Sequence, residues 1–400
     1  MSVRTRTRVF PQGQKGFWET RKLSDDSLVS SGTRGPASNG QESCTDQVKE
    51  PGNFKPFTVI RKQIVKEMLL NSQPRVVTGF TSDYSRRNYV VFRNYPVAAT
   101  RGTWNNVAVP SWPSVPSDNI LVSRLLAKTN PSMPATSIPN FLLELREFPE
   151  LVRVEGGKML KRLANVNLQT NFGALPMMSD LQGLLNFQEE VDKLFNQLRN
   201  ARKRGGIIRT ATLWRDDDTK VSIIPDLNNG DFANGSLPGS SRSDVMFRIR
   251  GSCRWVPTKD FPTSDAELRS RIRNSMIGLT SAHAALIAWE AMPWSWLIDW
   301  FSNIGDIAAA ETNSIGMRPT TIVLMPQVRQ FTYWNALGII NTYEGRPYPV
   351  SISPGLHLYE SKVRRPASAA LTPEAKLPLL SMKQLGILAS LIVLRSKRYS

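Results

Sequence analysis

Cysteine and histidine are nearly absent from this sequence, with two of each among 400 residues. Cys44 and Cys253 stand far apart with no CxxC spacing and no neighbouring histidine, which argues against a disulfide framework and a zinc site and fits synthesis in a reducing compartment. His283 falls on an apolar helical stripe and His357 in a strand-like run without an obvious partner, so histidine acid–base chemistry has little to work with. Phosphate-loop, dinucleotide, nucleophile-elbow and metal signatures are also missing. The expectation is a protein that is not an enzyme and takes no cofactor and no metal. The stretch MSVRTRTRVF lacks the apolar region of a secretory signal. Long apolar runs are scarce as well: LPLLSMKQLGILASLIVL, residues 377–394, is broken by Pro378 and by Lys383 and Gln384, and reads as a buried helix rather than a membrane span.

Acidic residues are in deficit. Lys and Arg number 51 against 33 Asp and Glu, a formal charge of +18, and this points to a polyanionic partner such as nucleic acid. The excess is uneven: residues 1–22 carry six basic and one acidic side chain, 58–101 eight and two, and 361–400 eight and one. Residues 259–311 are net acidic, four against seven.

Hydrophobic periodicity divides the chain into alternating blocks. Residues 24–53, rich in Ser, Gly, Asp and Asn, read as a loop or linker. Residues 74–118 read as short strands cut by prolines. In SDLQGLLNFQEEVDKLFNQLRNARKRGG, Ser179 and Gln182 have capping-box spacing, Val191, Leu194, Phe195 and Leu198 recur at three and four, and Gly205 is placed to stop a helix. Its last turn carries Arg199, Arg202, Lys203 and Arg204, which either complement the helix dipole or contact phosphates. In DVMFRIRGSCRWV the two-residue strand period sends Phe247, Ile249, Cys253 and Trp255 to one face and Arg248, Arg250 and Arg254 to the other. That arginine row suits a phosphate backbone, or else forms a solvated face partnered by Asp216, Asp217 and Asp218. Ser264 and Glu267 open a second helical block.

The resulting expectation is an α+β protein, elongated overall, with a helical bundle layer and a separate twisted antiparallel β-sheet region, both assembled from sequence-distant segments. The blocks are a β-rich region with loops at 1–118, helices at 119–205, strands at 206–258, a Trp-rich helical part at 259–311, strands at 312–375, and a helix with a basic tail at 376–400.

WEAMPWSWLIDW, residues 289–300, holds four of the ten tryptophans. Trp296 and Trp300 lie one helical turn apart, and the surrounding residues are apolar all round and lack interleaved cations, so packing is favoured over base stacking. Together with NFGALPMMSDLQG, residues 171–183, this element resembles the maturation proteins, or A proteins, of the single-stranded RNA bacteriophages (the levivirus family). Leu175, Pro176, Met178, Ser179, Asp180, Gln182 and Gly183 match one family element, and Trp289, Glu290, Pro293, Ser295, Asp299 and Trp300 the other. The end of the chain, with Arg395, Lys397 and Arg398, looks like the family's basic tail.

The resemblance implies a virion protein, made in the host bacterial cytoplasm and present in single copy. It would replace a coat dimer in the coat protein shell, bind the viral genomic single-stranded RNA near its 3′ end and attach the particle to a bacterial pilus for entry. The RNA candidates are the ten cations Arg199, Arg202, Lys203, Arg204, Arg248, Arg250, Arg254, Arg395, Lys397 and Arg398. SDYSRRNYVVFRNY offers Tyr84, Arg86, Arg87 and Tyr89 as receptor contacts, residue types enriched at interface hot spots. A cellular RNA-binding or ribosome-associated protein explains the charge equally well but not the paired elements.

Overall fold

The computed structural model describes residues 2–10, 13, 15–35, 40–48, 55–72, 76–78, 88–100, 104–132, 187–227, 235–276, 303–342, 347–368 and 371. Both family-like elements, the apolar stretch 377–394 and the tail cations Arg395, Lys397 and Arg398 lie outside the described residues, as do His283, Tyr84, Arg86 and Arg87.

In chain order the strands are β1 (Ser2–Phe10), β2 (Gly16–Lys22), β3 (Leu28–Arg34), β4 (Gly40–Val48), β5 (Phe57–Lys66), β6 (Leu69–Asn71), β7 (Val76–Thr78), β8 (Asn88–Arg93) and β9 (Tyr95–Pro96). Helices α1 (Asp118–Thr129) and α2 (Phe187–Arg204) precede β10 (Ile207–Ile224), β11 (Gly235–Ser236) and β12 (Gly239–Pro257). Helices α3 (Asp265–Met276) and α4 (Ile304–Glu311) precede β13 (Met317–Ala336), β14 (Ile339–Thr342), β15 (Pro347–Pro349), β16 (Ser351–Ile352) and β17 (Gly355–Pro366). The α+β class holds. Among the described residues strands predominate, and the helices pack as two pairs, α1 with α4 and α2 with α3.

The main sheet has seven strands in the order β1-β4-β5-β17-β13-β12-β10. A four-stranded sheet, β3-β2-β8-β7, and two three-stranded sheets accompany it. The pairings β1 with β4, β4 with β5, and β5 with β17 are antiparallel. The chain divides into two compact units, residues 1–115, 214–250 and 325–365 in the first and 116–213, 251–324 and 366–400 in the second.

The first unit corrects the linker expectation for residues 24–53: β3 and β4 fall there. Composition misleads because β4 is a polar strand whose stabilisation comes from its neighbours. Nine residues of β1 face it in register, and Arg4 and Arg6 both reach Asp46, at 2.7 and 3.0 Å. Cross-strand ion pairs of this kind replace the apolar pattern that marks a half-buried strand. The unit's core has two clusters. One joins Met68, Leu70, Phe92, Tyr95, Val97, Leu227, Leu237 and Ile340; the other joins Ile64, Val107, Val245, Phe247, Val328 and Tyr359.

In the second unit α1 starts at Ser117, whose hydroxyl accepts from the Ile120 N–H at 3.3 Å. Ile120, Leu121, Val122, Leu125 and Leu126 are buried along it. Leu125 lies so close to Gly251 that a Cβ there would come within 2.7 Å of its methyl groups, which is why the otherwise apolar face of β12 carries a glycine at that point. Asn130 fastens the end of α1 to that of α4 by donating to the carbonyls of Ala309 and Thr312 at 2.9 and 2.7 Å. Trp255, 2% exposed, donates its indole N–H to the Thr129 hydroxyl at 3.2 Å.

Candidate nucleic-acid interface

The α2 periodicity is visible in three dimensions: Val191, Phe195 and Leu198 are buried, with Ala201 one turn further on. Gly205 adopts φ +66° and Gly206 φ +139°, conformations that end the helix at little steric cost. The chain then turns directly into β10. This places the last-turn cations at the mouth of a helix-to-strand turn.

Two of those cations are committed within the protein. Asp265, in the first turn of α3, receives Arg199 at 3.2 Å and Arg202 at 2.6 Å. Arg202 also donates to the Thr263 carbonyl at 2.7 Å. Arg269 of α3 reciprocates, pairing with Asp192 at 3.0 Å while lying over the Phe195 ring. Arg199 and Arg202 therefore join the two helices and complete the N-terminus of α3, where a carboxylate is favoured by the helix dipole.

Lys203 and Arg204 are exposed and have no partner among the described residues. Arg254 joins them from β12: its guanidinium donates to the Gly205 carbonyl at 3.4 Å, and the Thr320 hydroxyl of β13 donates to its backbone carbonyl at 3.1 Å. Two residues from Thr320, and so on the same side of β13, stands exposed Arg318. Thr258 donates from both its N–H and its hydroxyl to the Gly316 carbonyl at 2.9 Å, bringing the turn with exposed Lys259 against the start of β13. Arg318 and Lys259 escape a pattern search because single cations, one before Pro319 and the other between Thr258 and Asp260, form no run. Only the pairing of β13 with β12 assembles them.

The alternation of β12 is as its sequence implies: Phe247, Ile249, Cys253 and Trp255 are buried, and Arg250 on the opposite face is exposed and unpartnered among the described residues. Arg248 is half-buried and donates to Gln327 at 3.2 Å, leaving its Nε without a partner. Asp217 and Asp218 pair with Arg215 and Lys220 on their own strand, so the row's neighbours are not the acids that the sequence suggested.

Burial sets the ionisation of several groups. Arg209, which ties α1 to α2 through the Thr129 carbonyl at 3.3 Å and Gln197 at 3.1 Å, has its pKa lowered by desolvation. Desolvation pushes the Cys253 thiol up to about 12, so it stays protonated and unreactive. The same cause holds His357 down at about 4. It is a neutral core residue, edge-on to Trp334. Tyr89 is 2% exposed and donates its hydroxyl to Asp26; this makes it a core residue of the four-stranded sheet rather than an exposed receptor contact. No helix among the described residues is long and apolar enough to cross a membrane.

Residues 151–332, which hold Lys203, Arg204, Arg250, Arg254 and Arg318, match the family model described as phage maturation protein. Maturation protein A2 of Enterobacteria phage SP is 21% identical over 243 residues, covering 58% of this chain and 48% of that protein. The similarity thus spans about half of the relative's length. Over residues 151–332 this chain is similar to the phage maturation proteins.

Proposed function

We propose that this chain is a virion maturation protein that binds the viral genomic single-stranded RNA through phosphate contacts from Lys203, Arg204, Arg254 and Arg318 of the second unit and, separately, from Arg250 of the first, without enzymatic activity of its own. The observation that carries this reading is the gathering of exposed Lys203 and Arg204 of α2 and exposed Arg318 of β13 around half-buried Arg254 of β12, none of them held by a carboxylate among the described residues, within the segment that matches the family. Phosphate contacts position a nucleic acid without reading its bases. An RNA held this way is recognised by charge and by the folded shape of its backbone.

Incorporation into the coat shell in place of a coat dimer, a single copy per particle, binding near the RNA 3′ end and attachment to a bacterial pilus belong to the same proposal and rest on the family resemblance. The helical bundle layer expected from the sequence belongs to it too. Arg199, Arg202 and Arg248 take a supporting part, since their guanidinium groups hold the surrounding elements, and Arg395, Lys397 and Arg398 extend the contact through the basic tail. Pilus contact is assigned to the N-terminal β-rich region around Tyr84, Arg86 and Arg87.

Purified full-length protein titrated with a fluorescent fragment of the cognate genome provides the test. If six to ten phosphates are engaged, affinity falls by roughly three to five orders of magnitude between 50 and 200 mM salt, by analogy with duplex DNA, and somewhat less steeply for single strands. A salt-independent affinity contradicts the phosphate mechanism.

A further inference from the structure

The first unit contains a cleft of about 570 Å³ whose chemistry is opposite to that of the chain as a whole. Its floor is the face of β12 and β13 carrying Ser241, Ser243, Val245, Phe247 and Gln330; Asp216, Asp217, Asp218 and Lys220 of β10 form one side and the segment Ala108–Pro113 the other. Trp112 in that segment is anchored against Phe247, with ring centroids 5.1 Å apart, yet remains 39% exposed.

Two features of the cleft point to a ligand. Gln330 is only 7% exposed; its amide nitrogen donates to the Thr332 hydroxyl at 3.1 Å, but its Oε1 has no donor. A buried carbonyl oxygen without a donor is destabilising, and Gln330 lines the space. Asp216 has no partner among the described residues. The other two carboxylates are held by exposed pairs, Asp217 with Arg215 at 2.7 Å and Asp218 with Lys220 at 3.4 Å, which exchange at little cost. The cleft therefore offers free acceptors and an aromatic ring, and with three carboxylates against Lys220 its lining is net acidic.

We propose that this cleft receives an arginine side chain presented by a protein partner. A guanidinium is the group that uses all of these features together. It is planar, carries five donors, pairs two-to-two with a carboxylate and stacks on an indole. Asp216 takes the paired N–H groups, Gln330 Oε1 takes a further one, and Trp112 covers the plane. The volume falls within the range of about 300–1,000 Å³ of small-ligand sites and leaves room for the residues flanking the arginine. This inference is independent of the RNA reading, since the cleft is net acidic and its residues are not among the proposed RNA contacts.

The test uses the full-length protein and the tripeptide acetyl-Gly-Arg-Gly-amide, followed by calorimetry and tryptophan fluorescence, with the citrulline tripeptide and spermidine as comparisons. The expected result is saturable one-site binding of the arginine peptide, none of the neutral citrulline peptide, and at least tenfold weakening by Asp216→Asn. Gln330→Met should weaken binding several-fold; if that variant does not fold, Asp216→Asn on the exposed strand decides. Three results overturn the proposal: no saturable arginine binding, binding unchanged in Asp216→Asn, or displacement of the peptide by RNA. One-site binding of spermidine without the arginine peptide overturns the guanidinium assignment in favour of a polyamine.

Discussion

The cations of the β1–β4 ribbon and those at the end of α2 are equally conspicuous in the sequence, yet the protein treats them differently. Arg4 and Arg6 converge on Asp46, and Arg21 and Arg93 share Glu19. At the end of α2 the paired cations Arg199 and Arg202 give way to Lys203 and Arg204, which face solvent unpaired among the described residues. Net charge states how much positive potential a chain has; pairing states how much remains for a partner. An internal carboxylate has already displaced the counterions that a phosphate would release, so a paired arginine contributes less to salt-dependent binding than a free one.

The largest effect is expected from reversing Lys203, Arg204 and Arg254 to Glu together. Losing three phosphate contacts lowers RNA affinity by about a hundredfold near 0.1 M salt and reduces the slope of log affinity against log salt by about 2. The Arg4→Glu, Arg6→Glu double variant should change that slope little, a direct contrast measurable in the same titration.

The core of the first unit provides a second contrast, in pH. His357 titrates near 6.5 when unfolded and about 4 when folded, so below pH 6.5 the unfolded chain binds the extra proton first. Stability is unaffected at neutral pH, declines from pH 6.5 downward and levels off below about 4, a total loss of about 3 kcal/mol. Urea unfolding of the wild type against His357→Gln across that range should show the wild type losing more. Asp46 moves the opposite way from a half-buried site. The hydrogen bond and charge of Arg4 hold its carboxyl below the ordinary carboxylate range, so its stabilisation is present above the unfolded pKa and disappears only as pH falls through the lower folded value.

Asp265→Ala sharpens the comparison at the helix end. Removing the carboxylate shared by Arg199 and Arg202 costs about 1 kcal/mol, as partly exposed pairs do, and it also releases two cations. RNA affinity should therefore rise slightly while the melting temperature falls. The smallest effect is chemical: Cys44, half-buried and 3.5 Å from the Arg6 guanidinium, should alkylate in the native protein, whereas Cys253, buried with its pKa near 12, should react only after unfolding.

Much of this was legible in the sequence, for reasons that also mark its limits. The β12 alternation and the α2 stripe are local, and each appears where its spacing places it. Ser264 caps α3 as its spacing implies, accepting from the Glu267 N–H at 3.2 Å. What composition hides is pairing over distance. Nothing near Arg202 in the sequence announces Asp265, and nothing in GQESCTDQV marks it as the partner of a basic strand. Tyr89 shows the same limit, because an Arg- and Tyr-rich run describes an interface and a strand edge equally well, and only Asp26 and the neighbouring strands decide that its ring faces inward. The cluster formed by Arg254 with Arg318 and Lys259 exists only once the strands pair, whereas the chemistry of Arg250 could be read from its place in the row.

The most direct measurement is ultraviolet cross-linking of the full-length protein to its RNA, followed by mass spectrometry of the linked peptides. Cross-links concentrated in peptides spanning residues 203–206, 250–259 and 317–320, and sparse in peptides from β1 and β4, are the expected result. Cross-links centred on the β1–β4 ribbon, with the end of α2 unlabelled, would contradict the claim that unpaired rather than merely abundant charge marks the RNA surface.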